Sequence, residues 1–380
     1  MLINQWYVAA HAEALGKAPV GVHMLGQDVV LFRDEGGKAH CLHDTCVHRG
    51  GSLCRGEVVD GTVECPYHGW RYDGTGRCVA IPSLGPDGNI PKRARVDSYP
   101  TVEKYGMIWT FFGDLPEAER PPLPDFFPEY DRNDGTWRFL RGTYQFETNW
   151  VRAIENGVDA THATFVHTDF GNPDNPKRDP YEVRKTTHSL YSSGSTTKPP
   201  KKRGLWLEEI PADRPNGYTE VQIHLPAPTI RIQMHMYKGK SQFIVTGYTP
   251  INESQTRLHW VHCRNFLTDP KYDNDTRRRM FTVLGEDAVV LAHLKPKRVP
   301  PLLSDELILA NDTHGTVFRK WVKEREAMGL AIDTDAWEAE TDRIKIIASP
   351  ARREDPKAWV YGTAPLKPPR SQKPSSEAAE

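Results

Sequence analysis

Long apolar runs are missing from this 380-residue chain: no stretch approaches the length that spans a bilayer, which argues against a transmembrane helix. The opening MLINQWYVAAHAEALG lacks the charged leader and apolar core of a secretory signal, so a cytoplasmic location is expected. An excess of one charge is missing too. Lys and Arg number 49 against 50 Asp and Glu, a net charge of −1 that gives no electrostatic reason to expect nucleic acid. Cysteine is scarce, with 6 residues, and four of them (41, 46, 54 and 65) crowd into one stretch. That is no secreted disulfide framework. In a cytosolic chain such crowding points to metal or redox chemistry.

What is present reads as two units, as the length suggests. In the first, GVHMLGQDVVLFRD predicts a hairpin turning near Gly26-Gln27, and VVLFRDEGGKAHCL another at Glu35-Gly36-Gly37. KYGMIWTFFG is the aromatic and β-branched run of a buried strand. The proline-rich GDLPEAERPPLPDFFPEY cannot belong to a helix interior or a central strand and marks the boundary. The expected division is a first domain over 1–115, a linker over 116–128, a second domain over 129–365 and a polar, disordered tail over 366–380. In the second domain NWVRAIENGVDATHATFVH has helical spacing, with Trp150, Ile154, Val158 and Thr161 along one stripe. VQIHL, TIRIQMHM, SQFIVTGYTP and TRLHWVHCRNF alternate as strands of an antiparallel sheet, and 275–294 and 313–328 read as helices. STTKPPKKRG reads as a solvated basic loop.

Cys46-Val-His48, then sixteen residues, then Cys65-Pro-Tyr-His68 supplies two thiolates and two imidazoles. Such donors suit zinc or an iron–sulfur cluster. Zinc takes all four on one tetrahedral ion, whereas a Rieske [2Fe–2S] cluster puts both cysteines on one iron and both histidines on the other. Each segment here carries one Cys and one His, the distribution a cluster held between two loops needs. Arg49-Gly50-Gly51 and Gly69 supply tight turns whose N–H groups can face sulfide. Cys41-Leu-His43 lacks the following Arg-Gly-Gly and reads as the strand leading in. Cys41, Cys54, Cys78 and Cys263 read as buried small hydrophobes. CVHRGGSL…CPYHGW resembles the Rieske domain, of the oxygenase and ferredoxin kind, since Tyr67 stands where respiratory-type proteins carry a disulfide cysteine.

A ferredoxin would end near 115, and this chain continues. His162 and His167 are five apart, about 140° off a common face on a continuous helix, so they reach one metal only if the helix ends or bends between them. E-N-x-x-D-x-x-H-x-x-x-x-H after a Rieske domain resembles the mononuclear iron motif of Rieske non-haem iron oxygenases. There the site is a 2-His-1-carboxylate facial triad. The resemblance implies His162 and His167 as ligands and Asp287, in GEDAVVLAHLKPKRVP, as the third, with Glu286 the neighbouring alternative. It also implies that Asp159, one turn before His162, links a Rieske histidine to a mononuclear-site histidine across a subunit boundary. Asn156 matches an asparagine near the iron but could equally stabilise a helix turn; Glu155 is a further candidate supporting acid.

The resemblance covers nearly the whole chain. It implies an α+β protein: an all-β Rieske domain, then a catalytic domain with a central antiparallel sheet flanked by helices, of helix-grip type. The implied activity is that of a terminal oxygenase which hydroxylates, dihydroxylates or oxidatively demethylates an aromatic or largely apolar small molecule with O2. The stretch around 149–162 is most similar to oxygenases for carbazole, quinolone and methoxy-aromatic substrates, which lack a β subunit and form head-to-tail homotrimers. Neither a G-x-G-x-x-G fingerprint nor a plant-type ferredoxin cysteine run is present, so electrons are expected from a separate reductase, with or without a ferredoxin. Trp150 and the strands containing Arg231 are pocket-wall candidates. Arg231 would anchor a carboxylate if it faced inward, although a strand Arg usually faces solvent. The competing readings are an electron-transfer protein whose second domain only binds a partner, and a zinc-stabilised structural protein.

Overall fold

The computed structural model describes residues 1–131, 134–177, 181–196, 217–236, 238–340 and 342–370. The basic loop expected over 195–204 lies outside these residues apart from Ser195 and Thr196, which end a strand. The N-terminal part is all β, built from one three-stranded and two four-stranded sheets. Its first hairpin turns at Leu25-Gly26, one residue before the expected position; both residues have positive φ (52° and 78°), the twist a two-residue turn requires. The strand Met107–Phe112 is buried along its whole length, as its composition predicts.

The catalytic sheet has seven antiparallel strands: β1 (Arg138–Phe146), β2 (Val183–Lys185), β3 (Ser189–Thr196), β4 (Gly217–His224), β5 (Thr229–His235), β6 (Ser241–Pro250) and β7 (Thr256–Arg264). Their order is β1-β7-β6-β5-β4-β3-β2. Helices α1 (Trp150–Val158), α2 (Ala163–Val166), α3 (Asp273–Leu291) and α4 (Thr313–Ala327) complete the domain. Because side chains alternate along a strand, the sheet has two apolar faces. Ile230, Tyr248, Leu258 and Trp260 pack against Trp150, Ile154, Leu284 and Phe318 of the helices. Phe243, Val245, Val261 and Cys263 face the other way, against Trp6, Val8, Trp109 and Phe127. The proline-rich segment is therefore packed rather than loose: Phe126 and Phe127 are buried in this second core.

After α4 the chain leaves the catalytic sheet and returns to the N-terminal part. Ile332, Ile347 and Ala364 share a core with Leu31, Cys41 and Tyr99. Arg352 donates from Nε and Nη2 to the fully buried Asp97 at 2.7 and 2.9 Å, and Ser349 adds its N–H and hydroxyl. The expected second domain, drawn to 365, thus ends in a segment that belongs by packing to the first. The expected tail begins too early as well. Leu366 bridges Ile332, and the N–H groups of Lys367 and Arg370 reach Ala331 and Ala327, the last a helix-end carbonyl that needs a donor. Residues 371–380 lie outside the described residues.

Candidate active site and metal centres

Two loops of matching geometry present the first donor set. Cys46 O accepts the Gly50 N–H and Cys46 N donates to Gly51 O; Cys65 O accepts from Gly69 and Cys65 N donates to Trp70 O, all at 2.8–2.9 Å. Gly50 and Gly69 have φ of 75° and 69°, which glycine adopts without strain. Both cysteines are buried, while His48 and His68 stand at the surface with ring centroids 4.4 Å apart and His48 stacked on Trp70. A Cβ on Gly51 would come within 2.9 Å of Cys65 Sγ, so the glycine leaves the room a cluster needs. Tyr72 and Cys46 share a hydrogen bond of 3.1 Å between phenol oxygen and Sγ. The two thiols are buried in one cluster and the two imidazoles face each other at the surface, the pairing that puts both cysteines on one iron and both histidines on the other.

The second donor set is built by a broken helix. Asn149 caps α1 through its side chain, 3.0 Å from Val151 N, and the helix ends as Asp159 turns extended. His162 and His167 then lie at the two ends of the one-turn α2. The break that their spacing demands is present. On α3 the buried stripe runs Thr276, Met280, Leu284, Asp287, Leu291, with one charged residue in an otherwise core-facing row. His162 Nε2 and His167 Nε2 come to 3.3 and 3.5 Å from Asp287 Oδ1, an oxygen that is buried without a hydrogen-bond partner. Among the described residues this is the one trio of such donors within 4.8 Å. A buried carboxylate oxygen aimed at two imidazoles and otherwise orphaned is the donor chemistry of a divalent metal site.

Carboxylates also stand behind both rings. Glu286 Oε2 is 3.1 Å from His167 Nδ1, and its Oε1 takes the Thr168 hydroxyl at 2.6 Å. Asp159 Oδ2 is 3.5 Å from His162 Nδ1, while its Oδ1 is held by the Thr161 N–H and hydroxyl. Burial opposes the Asp159 charge, but the bonds from His162 and Thr161 more than offset it and hold the carboxyl at about 2. Burial likewise disfavours a charged His162, and Asp159 and Asp287 together override it, raising the imidazole to about 9. Excess negative charge is what these groups share, and a bound cation answers it.

Residues 5–100 match the family model described as a Rieske [2Fe-2S] domain, and residues 146–328 match the vanillate O-demethylase oxygenase C-terminal domain. The chain belongs to the Rieske non-haem iron oxygenases. It takes a [2Fe–2S] cluster and a mononuclear iron. This oxygenase is 28% identical over 327 residues to the methylxanthine N3-demethylase NdmB of Pseudomonas putida, covering 82% of this chain and 84% of that one. The oxygenase component of dicamba O-demethylase from Stenotrophomonas maltophilia is 37% identical over 164 residues, 43% of this chain and about half (47%) of that one. In fold, it is similar to dicamba monooxygenase bound to dicamba, with a TM-score of 0.73, 23% identity, and coverage of 86% and 97% of the two chains.

The remaining expected site residues of the oxygenase lie in different places. Asn156 is half-buried on α1, and its carbonyl accepts the Asp159 N–H at 3.2 Å. Arg319 on α4 donates to both oxygens of Glu155 at 2.6 and 2.8 Å, so this carboxylate, expected as a supporting acid, is engaged by an arginine. Trp150 is buried edge-on against Phe318, a core residue rather than an open wall. Arg231 is corrected too. It alternates with Ile230 and Ile232 and faces the N-terminal side of the sheet, over the Phe243 ring and 3.8 Å from Glu129, so it cannot anchor a substrate beside α1. Cys54, expected to be buried, is half-exposed beside Ser52. Sequence reasoning weighed Glu286 only as a ligand and missed its hold on His167. The stripe position of Asp287 was a readable signal, but nothing comparable marks Glu286. No described helix is long and apolar enough to cross a membrane.

Proposed function

We propose that this oxygenase is the terminal component of a multicomponent system that oxidatively demethylates a small, largely apolar aromatic molecule carrying an O- or N-methyl group. The observation that carries the oxygenase chemistry is the convergence of His162, His167 and Asp287 on one point. We assign these three as iron ligands and Cys46, His48, Cys65 and His68 as cluster ligands. When bound, the cluster supplies single electrons and the iron activates dioxygen beside the substrate. The chain's own residues do the rest. Glu286 and Asp159 orient the two imidazoles with Nε2 toward Asp287. On the helix-side face of the sheet the partly buried Ile232 and Ile244 offer apolar side chains that would favour an aromatic guest. Demethylation is favoured over ring hydroxylation by the C-terminal domain matched and by the demethylases among the relatives.

Electrons come from a separate reductase, and the chain is proposed to work in the cytoplasm as a head-to-tail homotrimer. In such a ring Asp159, whose side chain keeps 31% exposure, is the residue placed to accept a hydrogen bond from a neighbour's cluster histidine. Anaerobically purified protein should hold about three irons and two acid-labile sulfides per chain. His162→Ala should drop to about two irons with the cluster spectrum intact; unchanged iron would sink the assignment. Methoxy- and N-methyl-aromatics, supplied with O2 and a surrogate reductase, should release formaldehyde. Mass photometry that finds only monomers would rule out the ring. Asp159→Asn should keep all three irons yet slow cluster reoxidation with substrate by roughly 10–100-fold.

A further inference from the structure

Tyr361 lies in KAWVYGT, a stretch to which the sequence attached no role, and its phenol reaches the cluster loop. The hydroxyl donates to Cys46 O at 2.8 Å. That carbonyl already accepts the Gly50 N–H at 2.9 Å, so both its lone pairs are taken, whereas the matching Cys65 carbonyl accepts from Gly69. The backbone bonds of the two loops match, but the Cys46 loop has two added hydroxyl partners: Tyr72 at its sulfur and, from the far end of the chain, Tyr361 at its carbonyl.

Tyr361 is held rather than draped. Arg352 bonds Tyr361 O from Nη1 and Nη2, both at 3.2 Å, while its other bonds grip the buried Asp97. Two residues earlier the Trp359 ring is sandwiched between the Arg95 and Arg352 guanidinium groups at 4.1 and 4.4 Å. Arg93 donates to Trp359 O at 3.0 Å, and the indole N–H reaches Asp355 O at 2.7 Å. A tyrosine phenol is ordinarily neutral at working pH, so the group acts as a hydrogen-bond donor.

We infer that Tyr361 is a positioning residue that tunes the cluster: its O–H dipole, fixed on the Cys46 carbonyl by the C-terminal strap, raises the cluster's reduction potential. The inference rests on Cys46 being a cluster ligand. An electron added to the cluster is stabilised by hydrogen-bond dipoles pointing toward it, as for other groups around metal ligands. A phenol supplied by residues after the catalytic domain therefore makes the electron affinity of the cluster depend on how the whole chain is folded.

The test is redox titration of the intact holoprotein, with iron, sulfide and visible spectrum recorded for each sample. Tyr361→Phe should retain two cluster irons and shift the midpoint to more negative potential. A roughly threefold change in the reduction equilibrium is expected, about 30 mV at about 59 mV per tenfold for one electron. Incorporation of 3-fluorotyrosine at 361, a stronger donor, should shift it the opposite way, which a merely structural disturbance would not do. Intact clusters with an unchanged midpoint in both samples, or shifts of the same sign, overturn the inference and leave the ligand assignment standing. A wild-type protein without two irons and two sulfides on these loops overturns both.

Discussion

Glu286 and Asp287 are neighbours in sequence but point about 100° apart on their helix, and that rotation separates a ligand from its support. Asp287 falls on the buried stripe with Leu284 and Leu291; Glu286 falls beside it and reaches the outer nitrogen of His167. Glu286→Gln should fold normally and lower iron affinity by roughly 10–100-fold, the cost of losing a carboxylate behind a metal-bound imidazole. Asp287→Ala should abolish mononuclear iron binding while leaving the cluster spectrum unchanged. Chelator competition followed by iron analysis separates the two, and equal affinity in Glu286→Gln and wild type would mean the carboxylate is only a surface partner.

At the scale of elements, the metal site depends on how α3 is seated against the sheet. Arg264 is fully buried on β7 and donates to Asp273 at 2.8 Å, and Arg138 on β1 binds the same carboxylate at the first turn of α3. Burial opposes the Asp273 charge, but the bonds from Arg138 and Arg264 win and hold the carboxyl below its ordinary 3.8. A depressed folded-state value means the stabilisation is fully present above the unfolded value and is lost as pH falls through the folded one. The pair's contribution should therefore begin to fall below the ordinary carboxyl value and be lost only once pH drops past the lowered folded one, leaving the Arg264 charge buried without its partner. Thermal melts across pH 3–7 should show a steeper acid loss in wild type than in Asp273→Asn; parallel curves would remove the ion pair from the account.

Over the whole molecule, the chain closes on itself. The N-terminal strands cover one face of the catalytic sheet, and the segment after α4 returns to the domain where the chain began. Asp97 and Arg352, 255 positions apart, form the buried clasp. Arg352→Met strands a fully buried carboxylate and should cost about 3–5 kcal/mol, since breaking one half of a buried pair leaves an uncompensated charge. Denaturant titration reads the loss directly. Asp97→Asn combined with Arg352→Met should recover a good part of it, which would show that the charge, and not the lost packing, is responsible.

Much of this protein was legible in the residues alone. Cys46, His48, Cys65 and His68 could be named because local loops carry them, and the tight glycine turns that build those loops are local chemistry. The strands of the catalytic sheet were readable because alternation is a property of adjacent residues, as was the need for a break between His162 and His167. The sequence also placed Asp287, through family likeness, in a stripe that helical periodicity explains. Only tertiary structure showed that Glu286 backs His167, that Glu155 answers Arg319, and that Arg231 faces away from the helices. Each depends on which face of a strand or helix meets a distant element. The strap from 345 to 370 was hidden for the same reason. Its sequence is polar and proline-rich, and what orders it are a buried carboxylate, a helix-end carbonyl and a cysteine carbonyl supplied by segments far away in the chain.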